Sequence, residues 1–518
     1  MVLGHRRHSA AGSARSSMDD NEDETVVDDD QGNVLSHIIS QLRPGADLSR
    51  VTLPTFILEP RSMLERITNF MAHPETLLHM PEINDPVQRF VAVTKFYLSG
   101  WHIKPPHRGV KKPLNPILGE TYTGYWEYPD GTRGYYISEQ TSHHPPKSSY
   151  FFMAPEHGIR IDGTLKPRSK FLGNSVGSFM EGIAVMRFRK RNERYFITQP
   201  NMYARGILFG KMKYELGDHA SVKCPETGLE VDIEFKVKGW MGGTYNAIGG
   251  YIKDSRGKNL FELSGFWHGE MHIKDLSTGK KEVLFDATHA KPSIPQSRPR
   301  EEQAERESQR LWAKVNHAIK KGDHRVATDE KSAIEDRQRE EAAERGEGVE
   351  WKPKLFRRAL GAEGKGGPGD EPGEEKLDWV IDAVVNGKTP EELTKQILAI
   401  APILPGQDSK ALQQPPQPPS LSKPDTQQQQ QRQQQQQQQQ QPANNRPQDP
   451  QQNPPVTSSP NLIDFGSDQP ARSQQQTHSN TSGIISGIKG LTVGGRQPKV
   501  TRTDSVDGGE DQFVDAEM

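Results

Sequence analysis

The sequence contains a single cysteine, Cys224, which excludes an intrachain disulfide and a cysteine-built zinc cluster and fits a reducing compartment. Apolar residues are scarce too: 32% of the 518 residues are hydrophobic and 7% aromatic, too few to fold the whole chain around a core. No apolar run approaches the roughly 18 residues a membrane-spanning helix needs, and the N-terminus lacks the apolar stretch of a secretory signal. Charge of one sign is not in excess, since Lys+Arg number 66 and Asp+Glu 68, so no global field draws the chain to nucleic acid or to an anionic membrane. Any cationic site has to be local. These absences predict a cytoplasmic chain that meets membranes only at their surface.

The apolar residues present are concentrated in one region, so the pattern predicts one large globular domain over 33–359 with unfolded ends. Residues 1–32 include the acidic block MDDNEDETVVDDD, expected to stay unfolded and to be repelled by anionic headgroups. Over 33–45, Val34, Leu35, Ile38, Ile39 and Leu42 share a helical face between an Asn33 cap and the Pro44-Gly45 stop, giving either a core-docked helix or a movable lid. The barrel region is expected over 46–298, with strands from about 120 to 290, most plainly where Leu229, Val231, Ile233, Phe235 and Val237 alternate with charged residues. Turn signals such as Asp130-Gly131 recur at short spacing, which favours antiparallel meanders in a large sheet that curls or closes. Over 299–359 the period becomes helical, with one helix ending near Gly322-Asp323, a second after it, and WKPKLF packing back on the sheet. A Gly-rich linker at 360–373, a small helical hairpin at 374–404 and a Gln/Pro-rich disordered tail at 405–518 complete the expectation.

The sharpest local feature is Glu139-Gln-Thr-Ser-His-His-Pro-Pro146. Two prolines after two histidines bar a helix and present both imidazoles at the end of a strand. A metal would need a third ligand that no nearby spacing supplies, so neither metal nor cofactor is expected. Lys331, Glu335 and Arg339 recur at four-residue spacing and so share an arc of about 80° on one helix face. Alone, that trio reads as a solvated ladder of ion pairs.

The stretch EQTSHHPP resembles the signature of the oxysterol-binding-protein-related lipid-transfer family, with Thr141 where that family usually carries Val. KKPLNPILGE (Lys111 to Glu120), ESQRLWAKVNHAIKKGD (Glu307 to Asp323) and EKSAIEDRQRE leading to EWKPKLF agree in order and spacing, over roughly residues 46 to 356. The resemblance implies an α+β, mainly β fold: a large, near-closed antiparallel β-barrel with a central lipid tunnel, an N-terminal helical lid and C-terminal helices. It also implies that phosphatidylinositol 4-phosphate is held by its headgroup at the tunnel mouth, on Lys112, Asn115, His143, His144, Lys331, Glu335 and Arg339. The chemistry agrees, because a phosphomonoester of about −1.5 to −2 charge suits clustered cationic donors. Nothing in the set is a nucleophile with its own base, which points to a clamp and away from an enzyme.

SRVTLPTFILEPRSMLERITNF (Ser49 to Phe70) and LKPRSKFLGNSV (Leu165 to Val176) resemble the fungal phosphatidylserine-transferring branch. That likeness places Leu53 on an acyl chain and Ser169 on the serine moiety, with sterol as the alternative second lipid. The C-terminus, GEDQFVDAEM, resembles the acidic peptides that dock VAP receptors of the endoplasmic reticulum, through Phe513, Asp515 and Ala516, departing at Gln512 and Val514. Asn461 to Asp468 is a second, weaker docking peptide. The expected function is exchange of phosphatidylserine for phosphatidylinositol 4-phosphate between membranes, at contacts of endoplasmic reticulum and plasma membrane. A lipid sensor or scaffold is the competing reading, and a phosphoinositide hydrolase is the least supported.

Overall fold

Antiparallel strands form the largest single element of the molecule. The computed structural model describes residues 24–26, 43–47, 54–103, 111–206, 211–238, 244–346, 348–359 and 376–407. Most of the expected lid helix, Leu53, the linker and the tail with Phe513, Asp515, Ala516 and Asn461 to Asp468 lie outside them.

Three short strands come first: β1 (Glu24–Val26), β2 (Leu58–Ser62) and β3 (Lys112–Leu114). The main run opens with β4 (Thr121–Glu127), β5 (Arg133–His143), β6 (Pro146–Ala154), β7 (Ile159–Leu165), β8 (Pro167–Phe171), β9 (Ser175–Met180) and β10 (Ile183–Phe188). It continues with β11 (Glu193–Ile197), β12 (Asn201–Arg205), β13 (Lys211–Cys224), β14 (Leu229–Lys236), β15 (Ala247–Lys253), β16 (Asn259–Phe266), β17 (Glu270–Asp275) and β18 (Lys281–Asp286). Together with β1, the strands from β4 to β18 form one 16-stranded sheet, its main path running β18-β17-β16-β15-β14-β13-β11-β10-β7-β6-β5-β4. Long β13 changes partners along its length, pairing with β12 up to Gly217 and with β14 from Asp218 onward. Asp218 stands at that junction with φ 66°, a left-handed conformation that Asp tolerates better than most residues.

The sheet curls back on itself. Tyr122 and Trp126 of β4 share one buried apolar cluster with Leu284 and Phe285, which lie on β18 at the far end of the ladder. The same cluster takes in Leu64, Met71, Leu77, Phe90, Val93, Phe96 and Trp101. These belong to a helical segment, ahead of the strands, to which the sequence reading assigned no elements: α1 (Met63–Arg66), α2 (Pro74–Leu77) and α3 (Pro86–Ser99). The last of these starts at Asp85, which accepts from Gln88 N–H at 2.7 Å, with Pro86 at the first helical position where its missing N–H costs nothing. No described helix is long and apolar enough to cross a membrane.

Three further expectations need correction. Inside the acidic block, Glu24–Val26 pairs antiparallel with Lys211–Lys213, placing Glu24 opposite Lys213 and Val26 opposite Lys211. The single helix expected before Gly322 is two, α4 (Ser308–Leu311) and α5 (Ala313–Lys320), broken at Trp312 (φ −90°, ψ 9°), whose indole is drawn inward to Glu120. Next, α6 (His324–Arg345) runs from the Asp323 cap to Gly346 as its sequence suggests. The hairpin expected at 374–404 is one strand and one helix, since β19 (Phe356–Arg358) pairs with β20 (Trp379–Ile381) before α7 (Pro390–Leu398). Trp379, Val380 and Ile381 are all buried, so the run of apolar residues there serves a two-sided strand and not a helix face.

Both faces of the β4–β6 wall are covered. Tyr136 and Phe152 face the inner cluster, while Tyr135, Ile137, Phe151 and Met153 face outward under Trp379, Ile381, Leu393, Ile397 and Ile403.

Candidate functional site

The paired histidines sit where β5 turns into β6. His143 pairs with Pro146, leaving His144 and Pro145 as a two-residue turn, and a bulge between Gln140 and Ser142 shifts the register just before it. A bulge inserts one residue and re-aims the side chains beyond it, which sends Ser142 and His143 off the alternation followed by Tyr135, Ile137 and Glu139. Buried Thr141 steadies the bulge through its hydroxyl, 2.9 Å from Ser149 Oγ. That is a bond Val could not make.

Most of the EQTSHHPP stretch is scaffold. Glu139, fully buried, accepts from the backbone N–H of Lys354 at 2.8 Å and of Leu355 at 2.7 Å, which straps the WKPKLF segment across the hairpin. Gln140 accepts from Ser148 Oγ at 2.6 Å and donates to Ser142 O at 2.9 Å. Just upstream, Gly119 has φ +74°, and a Cβ there would lie 2.4 Å from Trp351 Cζ2, so only glycine fits. Glu120 is the densest node: its carboxylate accepts from Ser62 Oγ at 2.5 Å, Ser308 Oγ at 2.6 Å, Trp312 Nε1 at 2.9 Å and Ile117 N at 3.1 Å. Burial pushes its pKa up, and these four donors pull it back.

The charged residues meet on one face of α6. Lys331, with 6% of its surface exposed, is 2.6 Å from Glu335. Lys112 of β3 is pushed down to about 8, by burial first and then by the Lys331 ammonium, with Glu335 opposing both. One turn beyond Glu335, Gln338 reaches Leu118 N at 2.6 Å and His143 Nε2 at 2.9 Å. The His143 and His144 rings stand edge to face, their centroids 4.5 Å apart, and burial followed by the His144 charge pushes His143 down to about 4. A cavity of about 470 Å³ adjoins the hairpin, lined by His143, His144, Lys147, Gln338, Arg345 and Trp351 among others.

Of the residues singled out in the sequence, Lys112, Lys331 and Glu335 therefore form one electrostatic group, and His143 joins it through Gln338 on the same helix. Asn115 is exposed at the end of β3, beside Pro116, whose carbonyl lies near His143. Arg339 stands apart, 62% exposed and paired with Asp336. Ser169 lies on β8 opposite Ser178, with its side chain on the same side of the strand as Phe171, which packs with Leu114 and Trp312. Gln338 was not among the residues picked out. Its i, i+4, i+7 spacing from Lys331 and Glu335 was the available signal.

Comparison with known proteins gives the same direction. The family model described as oxysterol-binding protein matches residues 37–318. An oxysterol-binding protein homolog of Schizosaccharomyces pombe is 54% identical over 348 residues, 65% of this chain and 72% of its own. Oxysterol-binding protein homolog 7 of Saccharomyces cerevisiae is 53% identical over 385 residues, 72% of this chain and 85% of that protein. Among solved structures, the Osh1 ORD domain in complex with cholesterol superposes with TM-score 0.57 at 22% identity, covering 72% of this chain and 91% of that one. The Osh3 ORD of Saccharomyces cerevisiae in complex with PI(4)P gives TM-score 0.51 at 21% identity, covering 70% and 92%.

Proposed function

Because the chain belongs to the oxysterol-binding protein family of lipid-binding and lipid-transfer proteins, we propose that it carries phosphatidylinositol 4-phosphate in one direction and phosphatidylserine in the other. The observation that supports this best is the charge packed against α6. Lys112 and Lys331 come close enough for one to lower the pKa of the other, and among the described residues Glu335 is the single carboxylate acting on Lys112. Two ammoniums facing one carboxylate leave positive charge that an anion can neutralise, and a headgroup phosphate brings about −1.5 to −2. Asn115, His143, His144 and Arg339 would complete the clamp, with Arg339 leaving Asp336 to reach the ligand. The acyl chains would lie inside the curled sheet, where each buried CH₂ returns about 0.8 kcal/mol toward the cost of leaving the bilayer.

Phosphatidylserine as the second lipid rests on the likeness of Ser49 to Phe70 and Leu165 to Val176, with Leu53 against a chain and Ser169 at the headgroup. Sterol is the alternative. Exchange at contacts of endoplasmic reticulum and plasma membrane, with Phe513, Asp515 and Ala516 docking a VAP-type receptor, belongs to the same proposal. Donor and acceptor liposomes carrying labelled phosphatidylserine, sterol and phosphatidylinositol 4-phosphate test it. Transfer of intact phosphatidylserine and phosphatidylinositol 4-phosphate is expected; release of phosphate, or binding with no transfer, would sink the carrier reading.

A pH dependence follows from Lys112. Its protonated form binds phosphate, and the ligand's negative charge raises its pKa above the value of about 8 in the empty site. Below that value the free protein already carries the proton and affinity is flat. Above it, each pH unit costs up to about tenfold until the pKa of the bound form is reached. Vesicle extraction of phosphatidylinositol 4-phosphate measured from pH 7 to 9.5 should show this fall, and Lys112→Arg should remove it.

A further inference from the structure

Gln338 lies between a backbone amide and an imidazole. The Leu118 N–H can only donate, and it is 2.6 Å from Gln338 Oε1, so the amide orientation is fixed: oxygen toward Leu118, nitrogen toward His143. The Gln338 nitrogen is itself a donor only, and His143 Nε2 is 2.9 Å away. Two donors cannot share one hydrogen bond, so His143 Nε2 presents its lone pair and the proton of the neutral ring is on Nδ1. His143 Nδ1 is buried without a hydrogen-bond partner among the described residues, and the Pro116 backbone lies close to the ring.

We propose that Gln338 is a positioning residue that holds His143 as a neutral imidazole with its Nδ1–H turned to the Asn115–Pro116 corner, where it gives an anionic headgroup a directed hydrogen bond and no charge. The inference rests on the headgroup reading above. It divides the labour within the site: Lys112 and Lys331 supply the charge, and His143 supplies direction. A neutral donor still makes a charge-assisted hydrogen bond to the phosphate but adds no ion-pair attraction of its own, which suits a protein that has to release its cargo at the second membrane. The low pKa of His143, which follows from burial and from its neighbour, agrees with a neutral ring.

Full-length protein labelled with ¹⁵N in its histidine rings provides the test, with His143 assigned by comparison with H143Q. The wild-type spectrum should show a protonated Nδ1 and a bare Nε2. In Q338E the carboxylate still accepts from Leu118 and now also accepts from His143, so the proton should move to Nε2. Protonation at Nε2 in the wild type, or one tautomer common to wild type and Q338E, overturns the proposal; the wild-type spectrum decides even if the variant fails to fold. Q338L, checked for fold, should extract phosphatidylinositol 4-phosphate from phosphatidylcholine vesicles about tenfold less well and phosphatidylserine unchanged. Equal loss of both lipids would mean a merely structural role and also overturns it. If the tautomer is as stated and moves in Q338E but phosphatidylinositol 4-phosphate vesicles leave the His143 signals unshifted, the positioning role stands and the headgroup reading falls.

Discussion

Replacing His143 and His144 together with alanine lowers phosphatidylinositol 4-phosphate extraction by at least about 100-fold, because each removed hydrogen bond to a charged group is worth about 1.5–3 kcal/mol. Phosphatidylserine extraction by the same variant should stay within about threefold, since the double change leaves Lys112, Lys331 and Ser169 in place. The fold should survive, for a local reason. The substitution frees one Gln338 N–H, but the adjoining cavity of about 470 Å³ has room for water to take the place of the imidazole. Extraction assays with each lipid separately, alongside a thermal melt, check the three statements. A parallel loss of both lipids would move the histidines from the headgroup to the scaffold.

Glu120→Ala has the largest expected effect on stability, a loss of about 2–6 kcal/mol from two stranded donors, which is a large part of the 5–15 kcal/mol that usually holds a domain together. The carboxylate is fully buried and ties Ser62 at the end of β2 to Ser308 of α4 and to Trp312. Alanine leaves the Ile117 N–H and the Trp312 indole N–H inside with nothing to donate to, at about 1–3 kcal/mol each. Glu120→Gln should be far milder, about 1 kcal/mol, because an amide can keep its oxygen on Ile117 and Trp312 while its NH₂ faces two serine hydroxyls able to reverse and accept. Denaturant unfolding of both variants gives the comparison. Equal losses for Ala and Gln would show that the negative charge matters and not the hydrogen-bond geometry.

Legibility in the sequence followed the range of the interactions involved. In β14 every second residue from Leu229 to Phe235 is buried, as the alternation required, and α6 runs between a capping Asp323 and a Gly346 with φ +84°. These are decided within a few residues. What could not be read depends on distant partners: Trp312 breaks a helix because Glu120 claims its indole, and β20 is a strand because β19 lies beside it. The helical segment around α3 was passed over because its apolar residues face a cluster assembled from strands far along the chain. The site divided in the same way. Lys331 and Glu335 were visible as a repeat on one helix, whereas the importance of Gln338 appears only with Leu118 and His143 placed against it, 220 and 195 residues away.

The layer over the outer wall has a consequence for how the protein is made. Phe151 and Met153 flank no water once Trp379, Ile397 and Ile403 lie on them, and Asp378 holds Lys147, one residue past the second proline, at 2.5 Å. A nascent chain has completed the whole sheet through β18 well before those covering residues leave the ribosome. Until then the hairpin bearing the histidines has one oily side bare, the kind of transient apolar surface that makes a nascent chain prone to aggregate.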